Sequence, residues 1–136
     1  MASYSQTLRI LIVEDHPTMR EVLAGVLNDL PGVTVAGEAA TGAEALESCR
    51  NQTFDLVLLD TRLPDMNGTE VIRALREKDT SGIKILGMSV KDDAYDRAPI
   101  LRAGADAFVS KLNGLDPLHD AVQQFLPSKN GDPKSR

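Results

Sequence analysis

The chain predicts an α/β domain in which helices cover both faces of a parallel β-sheet. Short apolar runs alternate five times with segments of helical period, at a spacing of roughly 25 residues. The runs are nearly all apolar and rich in branched side chains, which is how strands buried on both faces read. The 136 residues, 42% hydrophobic and 26% charged, amount to one domain of ordinary composition.

Leu8–Val13 is the first strand, with five of its six residues apolar. Met19, Val22, Leu23, Val26, Leu27 and Leu30 then recur at helical spacing behind Pro17, which suits a first turn, and Pro31-Gly32 stops the helix. Val33–Glu38 is the second strand. Thr41 and Glu44 form a capping box that opens a helix to about Arg50. Asp55–Asp60 is the third strand, and Gly68–Lys78 the next helix, with Val71, Ile72 and Leu75 inward. Ile83–Ser89 is the fourth strand. Asp92–Ala103 is helical and closed by Gly104 at C′. Pro99 within it removes a donor and crowds the carbonyl of Tyr95, which predicts a kinked, short or mobile helix. Ala105–Ser110 is the fifth strand, and Asp116-Pro117 caps and opens a last helix to about Leu126. Residues 1–7 are an extension before the 8–126 domain. Residues 127–136, without an apolar anchor, read as a disordered tail or a linker.

Composition removes several classes of function. Cys49 is the single cysteine, so an internal disulfide and a four-cysteine zinc site are excluded. A net charge of −5 argues against direct contact with a nucleic-acid backbone. No apolar run approaches the ~20 residues of a membrane span. The first residues lack the pattern of a secretory signal, and the expected location is the cytoplasm.

Chemistry collects where ligands bind such sheets, beyond the carboxyl ends of the strands. Glu14 and Asp15 follow the first strand, Asp60 ends the third, Ser89 the fourth, and Lys111 follows the fifth. Three crowded acids repel one another unless a cation holds them, and oxygen ligands with room for water suit Mg2+. A lysine and a hydroxyl beside them make a phosphate site, and an aspartate can itself be the nucleophile that forms an acyl phosphate. Asp60, on the central strand, is the candidate. The remaining polar residues have plainer readings: His16 as the exposed start of a helix, Cys49 as packing, and Gly68 and Gly104 as backbone requirements.

The stretches Ile10–Asp15, Asp55–Asp60 and Leu63–Gly68, with Ser89 and Gly104–Lys111, resemble the response-regulator receiver domains of bacterial two-component systems. Asp15-His16-Pro17 and Pro31-Gly32-Val33 resemble the subfamily that carries LuxR-type helix-turn-helix effectors. The resemblance implies a five-stranded parallel sheet of order 2-1-3-4-5, doubly wound with five helices, the flavodoxin-like or CheY-like fold. It implies Asp60 as phosphoacceptor, with Mg2+ bound by Asp15 directly, by Glu14 through water, by Asp60 and by the backbone carbonyl of Arg62. Lys111 would pair with the phosphoryl group. Ser89 would move toward it, and Phe108 would follow by changing rotamer, re-packing the 92–126 face. Arg62 and Lys91, two residues past Asp60 and Ser89, would tune the lifetime of the acyl phosphate. Leu112 stands where many members have proline.

The implied partner is a sensor histidine kinase or a phosphotransfer protein, with a homodimer possible. The output is either a stand-alone protein contact or a DNA-binding effector outside this chain. Two other readings stay open. One is an aspartate-nucleophile phosphohydrolase, although that chemistry wants a second acid where Arg62 stands. The other is a binding module of the same fold that works without phosphorylation.

Overall fold

A computed structural model describes residues 7–78, 82–89, 94–111 and 114–126, with 94–96 in their backbone only. Strands β1 (Leu8–Val13), β2 (Val33–Ala39), β3 (Leu56–Asp60), β4 (Lys84–Ser89) and β5 (Ala107–Ser110) alternate with helices α1 (Pro17–Asn28), α2 (Gly42–Asn51), α3 (Gly68–Glu77), α4 (Ala94–Ala103) and α5 (Asp116–Gln123). Every strand pairing is parallel, in the order β2-β1-β3-β4-β5. This is the expected receiver architecture.

The two-residue period of the strands divides the core. Ile10, Ile12, Leu56 and Leu58 face one side and meet Leu23 and Leu27 of α1 and Leu118 and Val122 of α5. Leu11, Val13, Val57 and Leu59 face the other and meet Ala45 of α2, Val71, Ile72 and Leu75 of α3, and Ile100 of α4. Burying each such Leu or Ile contributes about 1.5–3 kcal/mol, so β1 and β3, apolar on both faces, anchor the middle of the sheet. Between these two strands the winding direction reverses, and their carboxyl ends open a crevice.

The element boundaries move by a few residues, for local reasons. The ends of α1 and α5 tighten to i→i−3 bonds: Leu30 N–H donates to Leu27 (3.0 Å) and Leu126 N–H to Gln123 (3.2 Å). The helical period thus continues to Leu30 and Leu126 in a narrower turn. Leu115, not Asp116, is the N-cap of α5. Its side chain makes no cap bond, and Asp116 serves as an acid in the first turn. Gly104 sits at φ 125°, where its N–H donates to Leu101 (3.1 Å) and the next N–H, of Ala105, to Ile100 (3.2 Å). That is a Schellman closure, which needs the positive φ. Helix α4 runs from Ala94 to Ala103 through Pro99 and does not restart at the proline. The first two residues expected in it, Asp92 and Asp93, lie outside the described residues, as do Leu112 and the 127–136 tail.

Candidate functional site

The crevice between β1 and β3 gathers the predicted acids. Glu14 is buried beyond the end of β1, Asp15 beside it is exposed, and Asp60 is the buried last residue of β3. One carboxylate oxygen from each lies within 4.8 Å of the others. Lys111, just past β5, reaches across: its Nζ donates to Glu14 Oε1 (2.7 Å) and to Asp60 Oδ2 (3.2 Å). The remaining oxygens are taken by backbone. His16 N–H donates to Glu14 Oε2 (3.1 Å) and Arg62 N–H to Asp60 Oδ1 (3.0 Å). The Asp15 carboxylate has no partner among the described residues.

The electrostatics follow from this placement. Burial pushes the Asp60 carboxyl above its ordinary value and the Glu14 charge adds to that, while the Arg62 N–H and Lys111 oppose it. Burial would lower Lys111, but the Glu14 hydrogen bond and the Asp60 charge hold it above its ordinary value, so it stays an ammonium. Three acids face one lysine, leaving a site that favours a further cation. The donors are all oxygens. With Asp15 open to solvent beside the buried Glu14 and Asp60, the set fits a hydrated Mg2+.

The other predicted residues fall around this centre. Ser89, buried, ends β4 one residue beyond Met88, the register partner of Asp60. Ser110, in register with Ser89 at the end of β5, is also buried. The sequence reading missed it, although its place directly before Lys111 put it at the same edge. Phe108 lies inward, with the Arg97 guanidinium 4.9 Å from its ring centroid. Arg62 is exposed and bridges to Asn67. Lys91 lies outside the described residues.

The plainer readings hold as well. His16 is the exposed N-cap of α1, and burial pushes the Cys49 thiol up, away from reactivity. Gly68 opens α3, whose first turn is closed by an Asn67–Glu70 capping box rather than left to cradle a phosphate. Thr61 is buried beside Asp60, and its hydroxyl has no hydrogen-bond partner among the described residues.

Residues 10–123 match the response regulator receiver domain family. The chain belongs to that family. It is 37% identical over 122 residues to the nitrate/nitrite response regulator NarL of Escherichia coli, covering 90% of this chain and 56% of NarL. A two-component response regulator of the LuxR family from Aurantimonas superposes with a TM-score of 0.82 at 32% identity, over 87% of this chain and 84% of that one. The response regulator TrrA of Thermotoga maritima, solved in complex with Mg2+ and BeF, superposes with a TM-score of 0.77 at 32% identity, over 88% of this chain and all (100%) of that one. The receiver therefore spans about half the length of the curated relatives it matches. Receiver domains are phosphoacceptor signalling switches, phosphorylated by histidine kinases, that bind Mg2+ at an acidic pocket. No helix among the described residues is long and apolar enough to cross a membrane.

Proposed function

We propose that this receiver takes a phosphoryl group on Asp60 from a sensor histidine kinase or phosphotransfer protein in the cytoplasm. The observation that carries the reading is the buried Asp60 carboxylate at the end of the central strand, with Glu14 and Asp15 on its β1 side and Lys111 bonded to it from β5. A carboxylate oxygen of Asp60 attacks phosphorus, the P–N bond to the donor histidine breaks, and its electron pair returns to the imidazole. Lys111 neutralises a phosphoryl oxygen and Ser89 donates to another. Glu14, Asp15, Asp60 and the Arg62 carbonyl would hold Mg2+, which supplies charge neutralisation on the phosphoryl oxygens. Hydrolysis by water returns the carboxylate, so the chain catalyses only its own phosphorylation and dephosphorylation. Arg62 and Lys91 set the lifetime between the two.

Ser89 and Phe108 pass the charge change to the 92–126 face, a shift between two packings of that face. Residues 8–126 are the switching unit and 127–136 lead out of it. The output is a DNA-binding effector, as the LuxR-type relatives suggest, or a direct protein contact, and this chain itself makes no nucleic-acid contact. Mass spectrometry after treatment with a small acyl-phosphate donor and Mg2+ tests the assignment. Wild type gains one phosphoryl mass, and Asp60→Asn, which keeps the shape without the nucleophile, gains none. Uptake by the Asn variant at the wild-type rate overturns it. No uptake by wild type leaves a phosphorylation-independent module, and turnover of a generic phosphate ester under Mg2+ marks a phosphohydrolase.

A further inference from the structure

Between β3 and α3 the chain makes a loop, residues 62–67, whose base and tip are tied to different elements. At the base, Gly68 N–H donates to the Thr61 carbonyl (2.9 Å), and Arg62 bridges to Asn67. At the tip, the two carboxylate oxygens of Asp65 accept from the first two N–H groups of α2, Gly42 (2.8 Å) and Ala43 (3.0 Å). These bonds complete a cap that α2 cannot finish with its own residues. Thr41 Oγ1 accepts only from Glu44 N–H (3.0 Å), and the Glu44 side chain turns back to Ala40 N–H (2.8 Å). Met66 lies so close over Gly42 that a Cβ there would collide with its side chain, so the tip sits on α2 through both residues. The two α2 N–H groups hold the Asp65 carboxyl below its ordinary value, so it stays charged against the helix terminus.

Arg62, three residues from that anchor, donates its N–H to Asp60 Oδ1 (3.0 Å), which leaves Oδ2 to Lys111. We propose that Asp65 is a positioning residue for Asp60: by pinning the loop tip to α2, it fixes the Arg62 backbone that orients the phosphoacceptor and offers a carbonyl to the metal. This rests on the phosphoacceptor reading given above. The position has a second consequence, because α2 and the reacting carboxylate are then joined through a single loop, and any shift of Arg62 on phosphorylation is felt at Gly42.

Asp65→Ala, Asp65→Asn and Thr41→Val separate positioning from simple capping. Each weakens the α2 cap, but Thr41→Val leaves the loop tie untouched. Mg2+ titration by amide NMR, well below the melting transition, and the rate of phosphoryl uptake from a small acyl-phosphate donor are the readouts. Asp65→Ala should weaken Mg2+ binding and slow uptake about tenfold, the usual scale for groups that orient ligands from behind. Asp65→Asn, which keeps an acceptor but not the charge, should fall between it and wild type, and Thr41→Val should stay within twofold of wild type. Equal losses in Asp65→Ala and Thr41→Val, or no loss in Asp65→Ala, overturn the proposal. A wild-type protein that takes up no phosphate overturns the phosphoacceptor reading instead, so the two failures are told apart.

Discussion

The two edges of the β3–β4–β5 half of the sheet both bring a cation to a carboxylate, and they do so to opposite ends. At the amino edge, Arg76 of α3 donates to the Gly104 carbonyl (2.7 Å), the Ile83 carbonyl (2.8 Å) and Asp106 Oδ2 (3.0 Å), and Asp106 also accepts from Ile85 N–H (2.8 Å). One cation meets one acid, and the remaining bonds go to fixed backbone. At the carboxyl edge three acids cluster; Lys111 meets two of them, Glu14 and Asp60, and the third, Asp15, has no partner among the described residues. A balanced, satisfied network locks elements together, whereas an acid surplus holds free energy that a bound cation can release. Charge surplus, not the presence of charge, separates a site from a staple.

Exchanging the roles of the two cations is the sharpest way to break that contrast. Lys111→Ala should slow phosphoryl uptake on Asp60 about 10²-fold, the scale of losing one charge-stabilising donor. Arg76→Ala should lower stability by about 2 kcal/mol, since it leaves carbonyls and Asp106 without their donor, and should leave uptake unchanged in kinetic assays on folded protein. The opposite pattern in uptake and thermal melts would void the comparison.

Smaller effects sharpen it. Mg2+ at tenfold its dissociation constant should raise stability by about 1.4 kcal/mol by mass action, seen as a rise in melting temperature that Asp60→Asn reduces. Because burial raises the Asp60 pKa, the folded state holds that proton more tightly than the unfolded chain. Stability without Mg2+ should therefore fall as pH rises from the ordinary carboxylate range through the raised value. Mg2+ affinity should weaken as pH drops through the same window. A metal-free melting curve whose midpoint rises with pH there contradicts the placement of Asp60. Last, Arg62→Ala should change the half-life of the acyl phosphate by more than about twofold, because its side chain sits two residues past the reacting carboxylate. A half-life within that limit, measured by loss of phosphoryl mass, removes Arg62 from the tuning role.

The fold was legible because its signal is periodic. β1, apolar on both faces, runs over Leu8–Val13 in both readings, and β3 differs only at Asp55, whose carboxylate accepts from Arg9 N–H (2.8 Å) just ahead of the strand. The acids and Lys111 were legible because a parallel sheet sends every strand's carboxyl end to one edge. What stayed hidden depends on contacts between distant segments. Nothing local in Leu63-Pro64-Asp65 says that its carboxylate caps a helix 22 and 23 residues earlier. The one available hint is that the Thr41–Glu44 box leaves the N–H groups of Gly42 and Ala43 unanswered. Arg76 was likewise invisible, since an arginine in a helix carries no sign of what it will meet, whereas Ser110, directly before Lys111, was there to be read.

The Thr61 hydroxyl, buried and without a partner among the described residues, bears on how this domain could be made into a sturdier reagent. A buried hydroxyl without a partner costs about 1–3 kcal/mol, while an apolar group of the same shape does not. Valine matches threonine in outline, so this position, next to Asp60, is where a single methyl-for-hydroxyl exchange would harden the protein without enlarging any side chain. Natural sequences sit just above the stability they need, and here the margin has been left unclaimed at the wall of the site itself.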